Sequence, residues 1–276
     1  AVALGDEALK RAEAADRALA RGERLGPLHG VPITIKENLD LAGTATTEGL
    51  PSLRDNVVAT DSPCVGQLEA AGAIPIGRTN MAEMGLRYHT ESGLRGATLN
   101  PWDASRTPGG SSGGDAAAVA TGMTPIGIGN DYGGSVRFPA QCCGIAALRP
   151  SRGRVASALA LAGESRFPIT IQLFLVHGPM ARHVSDLRLA LHSMSGPDVR
   201  DPWWTPAPLT GPEAPRRAAM IVDPPGAGGD PRVLAGVRRA AAALAAAGLA
   251  IEEIGSGTIV EAADLWARMI AADIRE

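Results

Sequence analysis

Two short elements of like composition, Gly109-Gly110-Ser111 and Gly133-Gly134-Ser135, stand twenty-four residues apart around an alanine-rich stretch, in GGSSGGDAAAVATGMTPIGIGNDYGGSVRFPA. Glycine lets a backbone turn sharply and leaves main-chain N–H groups uncovered. A serine beside such groups is a candidate nucleophile whose oxyanion site is already built from backbone dipoles. The chemistry this suggests is hydrolysis of an acyl compound. Ser135, in Asp131-Tyr132-Gly133-Gly134-Ser135, is the leading candidate. The plain alternative is a glycine turn carrying a surface serine.

A serine hydroxyl needs a base. None of the five histidines, His29, His89, His177, His183 and His192, sits in a Ser-His-Asp motif, and there is no Gly-x-Ser-x-Gly elbow. Lysine is the other choice, and the chain has only Lys10 and Lys36. Lys10 falls on an exposed helix. Lys36 ends a β-branched strand. At its ordinary pKa of ~10.4 only roughly one lysine in a thousand is uncharged near neutral pH. A lysine base must therefore be desolvated, as the end of a buried strand permits. Alternatively, Lys36 pairs with Glu37 or another carboxylate and stays charged. Ser111 can join the two groups, because a hydroxyl donates and accepts at once and can pass a proton from Ser135 to Lys36. The competing role for Ser111 and Ser112 is capping the helix that follows.

Rival readings of the glycines fail on spacing. No Gly-Lys-Ser/Thr follows Gly109–Gly114, and no Gly-x-Gly-x-x-Gly stands in a complete dinucleotide unit. No His, Cys or carboxylate set has metal-ligand spacing. The expectation is an enzyme with neither cofactor nor metal.

The elements that must position these residues alternate. Residues 3–21 read as an exposed amphipathic helix ending near Gly22. Val31–Lys36 reads as a buried strand. A helix is predicted over 62–71, with Asp61 or Ser62 as cap and Pro63 in its first turn. Ala73–Gly77 is a short strand and 86–109 a loop. Asp115–Thr121 is a helix opening from Gly113-Gly114, and Pro125–Gly129 a strand feeding the second glycine turn. Ser185–Met194 is a helix capped by Ser185, and the proline-rich 197–216 an irregular connection. Ala218–Val222, a helix from Asp230-Pro231 to Ala247, and Ala250–Ile254 form a β-α-β unit. The pattern IVEAADLWARMIAADIRE is helical to Glu276. This alternation predicts the α/β class. Both ends read as cut, so a fragment of a longer protein is expected.

Composition narrows the functions. The chain has 276 residues and a net charge of −3, which gives no reason to invoke nucleic acid or an anionic membrane. No apolar run is long enough for a bilayer, and no secretory signal is visible. Aromatic residues make up 3%, so the core must be built from Ala, Val, Leu and Ile. Cys64, Cys142 and Cys143 read as free thiols, which predicts a cytoplasmic protein.

Together the two glycine-serine elements resemble the amidase signature family of serine hydrolases. GPLHGVPITIKENLDLAGTATTEG is similar to that family's lysine strand, GRTNMAEMG to its Thr-Asn-x-x-Glu stretch, and GIAALRPSRGRV and HGPMAR to later landmarks. The resemblance is close over about 25–195 and looser beyond. It implies one domain over 1–276, incomplete at both termini, with a mixed central β-sheet covered by helices on both faces and a further β-α-β segment over about 217–276. It implies a catalytic Ser135, a bridging Ser111 on a cis peptide after Gly110, and Lys36 as base. Tyr132, Gly133, Gly134 and Ser135 would form the backbone oxyanion hole. Ser112, Asp131 and Arg137 would be supporting residues. The implied reaction splits a carboxylic amide through an acyl-enzyme. The implied partner is a small-molecule amide, without nucleic acid or membrane, and the resemblance admits a homodimer. Asn130, Tyr132 and Phe138 depart from the version of the motif found in the glutamine-hydrolysing component of the glutaminyl-tRNA amidotransferase. Such a component of a tRNA-dependent amidotransferase is therefore the second reading, and an inactive fragment the third.

Overall fold

The computed structural model describes residues 2–158, 168–211, 216–223 and 229–273. These divide into two compact units, one of residues 2–158 and 171–207, the other of 168–170, 208–211, 216–223 and 229–273.

The first unit is built on a mixed six-stranded sheet. In chain order its elements begin with β1 (Val2–Ala3), α1 (Gly5–Ala20), β2 (Pro32–Lys36), α2 (Pro63–Ala70) and β3 (Ile74–Thr79). A small hairpin, β4 (Glu91–Ser92) and β5 (Gly96–Ala97), follows. Then come α3 (Gly113–Ala120), β6 (Ile126–Asp131), α4 (Arg137–Cys143), β7 (Ala146–Ala147), α5 (Ile169–Phe174, of which 171–174 belong to this unit), β8 (Val176–Ala181) and α6 (Val184–Met194). The sheet order is β1-β3-β2-β6-β8-β7. The β3-β2-β6 centre is parallel, and β1, β8 and β7 add antiparallel edges. Helices surround this sheet: α3 packs on β2 and β6, α1 on β3, and α6 on β8 and α2. Ile33, Ile35, Ile126 and Ile128 are buried, consistent with central parallel strands covered on both faces.

The second unit contains β9 (Arg217–Met220), α7 (Pro231–Ala246), β10 (Ala250–Glu253) and α8 (Gly257–Asp273). β9 and β10 pair in parallel, as a β-α-β unit requires, and Asp230 caps α7 by accepting the Arg232 N–H at 2.8 Å. Residues 212–215 of the expected connection and 274–276 of the last helical pattern lie outside the described residues.

Several local expectations are corrected. Ser62 sits at the N-cap position of α2, but its hydroxyl accepts the Asp40 N–H, and Asp61 accepts that of Ala42. Both side chains tie down the β2–α2 connection instead of capping the helix. His183, not Ser185, is the N-cap of α6, because the helix begins one residue earlier than the serine suggested. Residues 86–109 include the β4–β5 hairpin, too short to leave a period in the sequence. Gly113 and Gly114 lie inside α3, not before it. A Cβ on Gly114 would stand 2.4 Å from the Asn80 carbonyl oxygen, so close backbone approach overrides glycine's poor helix propensity here.

Candidate active site

Parallel pairing sets the site's plan. β2 and β6 lie side by side and both end at polar residues, Lys36 on one and Asn130-Asp131 on the other. Lys36 is 0% exposed. Its Nζ donates to Ser111 Oγ at 2.7 Å and to Asn130 Oδ1 at 2.6 Å. Its partners are thus neutral groups. Glu37, the alternative partner, is taken by Arg95 at 2.8 Å and by the Thr47 hydroxyl at 2.9 Å. Burial pulls the Lys36 pKa down from 10.5 to about 8, against the opposing fields of Glu48, Asp115 and Asp131.

Ser111 reaches Lys36 from the loop before α3. The Gly110–Ser111 peptide is cis, as the resemblance implied. A Cβ on Gly110 would come within 2.6 Å of the Arg87 carbonyl oxygen, which explains glycine at that position. Ser112 stands at the N-cap position of α3 without a side-chain capping bond. Its N–H donates to the Ser135 carbonyl at 3.2 Å and its hydroxyl to the Asn130 carbonyl at 3.4 Å. The first glycine-serine element is therefore joined to the second. Asp115 lies below them, its carboxyl accepting the Thr34 hydroxyl at 2.8 Å and that of Thr79 at 2.6 Å. Burial raises its pKa to about 6.

The Ser135 turn is shaped by Asp131. This buried carboxylate accepts the Gly134 N–H at 2.8 Å and the Val136 N–H at 3.2 Å. It also binds Arg137 through Nε at 3.0 Å and Nη2 at 2.9 Å, with Arg149 at 3.4 Å. Burial acts to raise the Asp131 pKa, but the bonds from Arg137, Gly134 and Val136 outweigh it and hold the group below the ordinary carboxylate range. Gly134 has φ of 115°, which few side chains permit. Because its N–H is directed to Asp131, it is not open to an oxyanion. The N–H groups of Gly133 and Ser135 carry no acceptor among the described residues. Replacing the buried Asp131 with asparagine turns an amide donor toward N–H groups that the carboxylate had accepted and is expected to cost about 2 kcal/mol. Arg137→Ala, at a half-exposed side chain, is expected to cost about 1 kcal/mol or less. Urea denaturation of the two variants checks this order.

Ser111, Asn130, Tyr132 and Ser135 line one cleft that opens to solvent. Asn38, Asp40, Glu48 and Ser62 supply a polar end, while Met84, Leu86, Ala158, Ile171 and Leu175 supply apolar wall. Lys10 lies on the exposed side of α1. His177 is buried against Ser157, at 3.1 Å, and does not itself line the cleft. Sequence reasoning missed Asn130, Asp115 and Glu48. Asn130 had one usable signal, a polar residue ending a buried strand as Lys36 does.

A buried lysine joined to a serine on a cis peptide, beside a second glycine-serine turn on a mixed sheet, places the chain in a known class: it belongs to the Amidase family, whose model matches residues 1–276. Among its relatives, an indoleacetamide hydrolase of Bradyrhizobium diazoefficiens (strain JCM 10833 / BCRC 13528 / IAM 13628 / NBRC 14792 / USDA 110) is 48% identical over 92% of this chain and 48% of its own length. A second indoleacetamide hydrolase, of Bradyrhizobium japonicum, is 44% identical over 83% of this chain and 49% of its own. Among solved structures, a fatty acid amide hydrolase superposes with a TM-score of 0.85 at 28% identity, over 96% of this chain and 48% of that one. The chain spans about half the length of the curated relatives it matches. Glutamyl-tRNA(Gln) amidotransferase chains are also among the relatives, that of Moorella thermoacetica (strain ATCC 39073 / JCM 9320) at 40% identity over 90% of this chain and 51% of its own. Among the described residues no helix is long and apolar enough to cross a membrane.

Proposed function

We propose that this chain carries the reaction centre of an amide hydrolase that works through an acyl-enzyme on Ser135. One observation carries the reading: Lys36 is buried, without a carboxylate partner among the described residues, and lies 2.7 Å from Ser111 in the cleft that holds Ser135. A neutral lysine amine has two N–H donors and one lone pair. With Asn130 Oδ1 taking one donor, the neutral amine accepts from the Ser111 hydroxyl through its lone pair, reversing the bond that its charged form donates.

Ser135 Oγ attacks the amide carbonyl and gives its proton to Ser111 Oγ, whose own proton passes to Lys36 Nζ. The tetrahedral oxyanion is held by the N–H groups of Gly133 and Ser135, each worth on the order of 3 kcal/mol in comparable sites. As the C–N bond breaks, the proton returns from Lys36 through Ser111 to the leaving nitrogen. Water then takes the same route to release the acid. Ser112, Asp131 and Arg137 position these groups without touching substrate.

The substrate class is a small primary carboxamide, a reading supported by the 48% identity to an indoleacetamide hydrolase against 40% to an amidotransferase chain. Cys64, whose thiol burial pushes up to about 12, stays reduced and suits a cytoplasmic protein. The test is ammonia release from a panel of small amides, together with fluorophosphonate labelling. Labelling confined to Ser135 is expected; labelling that survives Ser135→Ala unchanged overturns the assignment.

A further inference from the structure

Among the described residues only two non-glycine positions have positive φ, Glu48 at 50° and Met84 at 53°. Both line the cleft, and the Met84 N–H donates to the Glu48 carbonyl at 2.9 Å. Left-handed backbone at a residue with a side chain is unfavourable and persists where surrounding structure enforces it. Here it sets a carboxyl group into the polar end of a reaction cleft. The backbone on either side is tied down: the Gly49 N–H donates to the Thr47 hydroxyl, which itself donates to Glu37.

Among the described residues no cation is hydrogen-bonded to Glu48, although the fields of Lys36 and Arg78 reach it. Lys36 is committed to Ser111 and Asn130. Arg78 is committed to the Thr44 hydroxyl at 3.0 Å and the Lys36 carbonyl at 3.3 Å. The ion pairs nearby belong to Glu37 and Asp131 instead. The Glu48 side chain is hydrogen-bonded to the Asn38 amide. That bond fixes the amide so that Asn38 Oδ1 is left as an acceptor, and this oxygen is buried without a partner among the described residues. The nearby Asp40 carboxyl adds a further negative group, its Oδ1 taken by Thr46. The polar end therefore gathers two carboxyl groups, Glu48 and Asp40, and an unpartnered Asn38 oxygen, with no cation hydrogen-bonded to Glu48 among the described residues. Burial, with Asp40 acting in the same direction, raises the Glu48 pKa to about 7 against the fields of Lys36 and Arg78 and the bond from Asn38.

We propose that Glu48 is a specificity-determining residue that accepts a protonated amino group carried on the acyl part of the substrate. A cationic donor supplies the hydrogen bonds that neither Lys36 nor Arg78 makes to this carboxyl, and a charge-assisted bond of this kind discriminates by roughly tenfold or more against a methyl group of the same size. A terminal carboxylate would meet like charge.

The inference rests on the amide-hydrolase reading, so binding is measured apart from turnover. Three straight-chain primary amides of equal length, ending in an amino, a methyl or a carboxylate group, are titrated calorimetrically into the Ser135→Ala protein and into the Ser135→Ala/Glu48→Gln and Ser135→Ala/Glu48→Leu proteins. The amino amide is expected to bind at least about tenfold tighter than the methyl amide, and the carboxylate weakest. Both Glu48 substitutions are expected to abolish that order, and thermal melting of each variant reports folding. A preference that persists in the folded Glu48→Gln variant, or equal binding of the three amides to the Ser135→Ala protein, overturns the inference. Turnover of the methyl amide by the unsubstituted chain reports on the amidase reading alone.

Discussion

Replacing Ser135 with alanine is expected to lower amide turnover by roughly 10⁴-fold or more, because the covalent step disappears and only binding and oxyanion stabilisation remain. The structure leaves little room for a substitute nucleophile. Ser111 carries the hydroxyl on the lysine relay, but it is held by Lys36. Ser112 is fully buried and turned to the Asn130 carbonyl. Steady-state ammonia release from the best amide, compared between the unsubstituted chain and the variant, measures the effect. A loss under tenfold would mean that another group carries the attack. The fold should survive, since Ser135 makes its structural contribution through its carbonyl, which accepts the Ser112 N–H and is unchanged by the substitution.

The chain's chemistry was legible where residue type alone restricts the options. With two lysines, Lys36 on a β-branched strand had one credible role besides an ion pair, and its real partners proved to be Ser111 and Asn130. The glycine-serine turns were legible because glycine marks a backbone that a side chain would obstruct. The sheet order was not, since pairing of β6 with β8 depends on contacts some fifty residues apart. β8 itself was not legible either, because its Gly178-Pro179 dipeptide is a turn signal inside a strand. Gly178 is there because a Cβ would lie 2.2 Å from the Leu148 carbonyl oxygen, and the Leu148 N–H donates to the Pro179 carbonyl at 3.1 Å. The helix α4 was hidden by Pro139 in its interior. Glu48 left no signal, because its importance lies in what surrounds it. Asp115 sits in an alanine-rich helix whose pattern does not reveal that this one carboxylate is buried against Thr34 and Thr79.

The second large effect concerns Lys36, and one physical cause drives both its activity and its cost. Turnover needs the neutral amine, so kcat/KM is expected to fall about tenfold for each pH unit below the folded pKa of about 8 and to level off above it. Lys36→Met is expected to lose roughly 10³-fold or more in kcat and the alkaline rise with it. Lysine is also out of place in a dry interior. In the unfolded chain Lys36 binds its proton near 10.5, but in the fold only near 8. Between those values the unfolded state holds more protons, so stability rises with pH across the window; below about 8 the fold carries the full penalty, on the order of 3 kcal/mol. Urea midpoints measured near pH 7.5 and near pH 10 should therefore diverge more in the unsubstituted chain than in Lys36→Met, the variant cancelling the contributions of other groups. An equal pH response in both proteins would mean that Lys36 keeps its ordinary basicity. It would remove the proton acceptor from the proposed relay. The carboxylates facing it set the limit of the effect. Glu48, Asp115 and Asp131 all favour the charged amine, so any change that removes one of them should move the kinetic pKa further down. A downward shift of the pH–rate limb in an Asp115→Asn variant that stays folded would show that the buried charges around Lys36, and not solvent, fix the pH at which the relay begins to work.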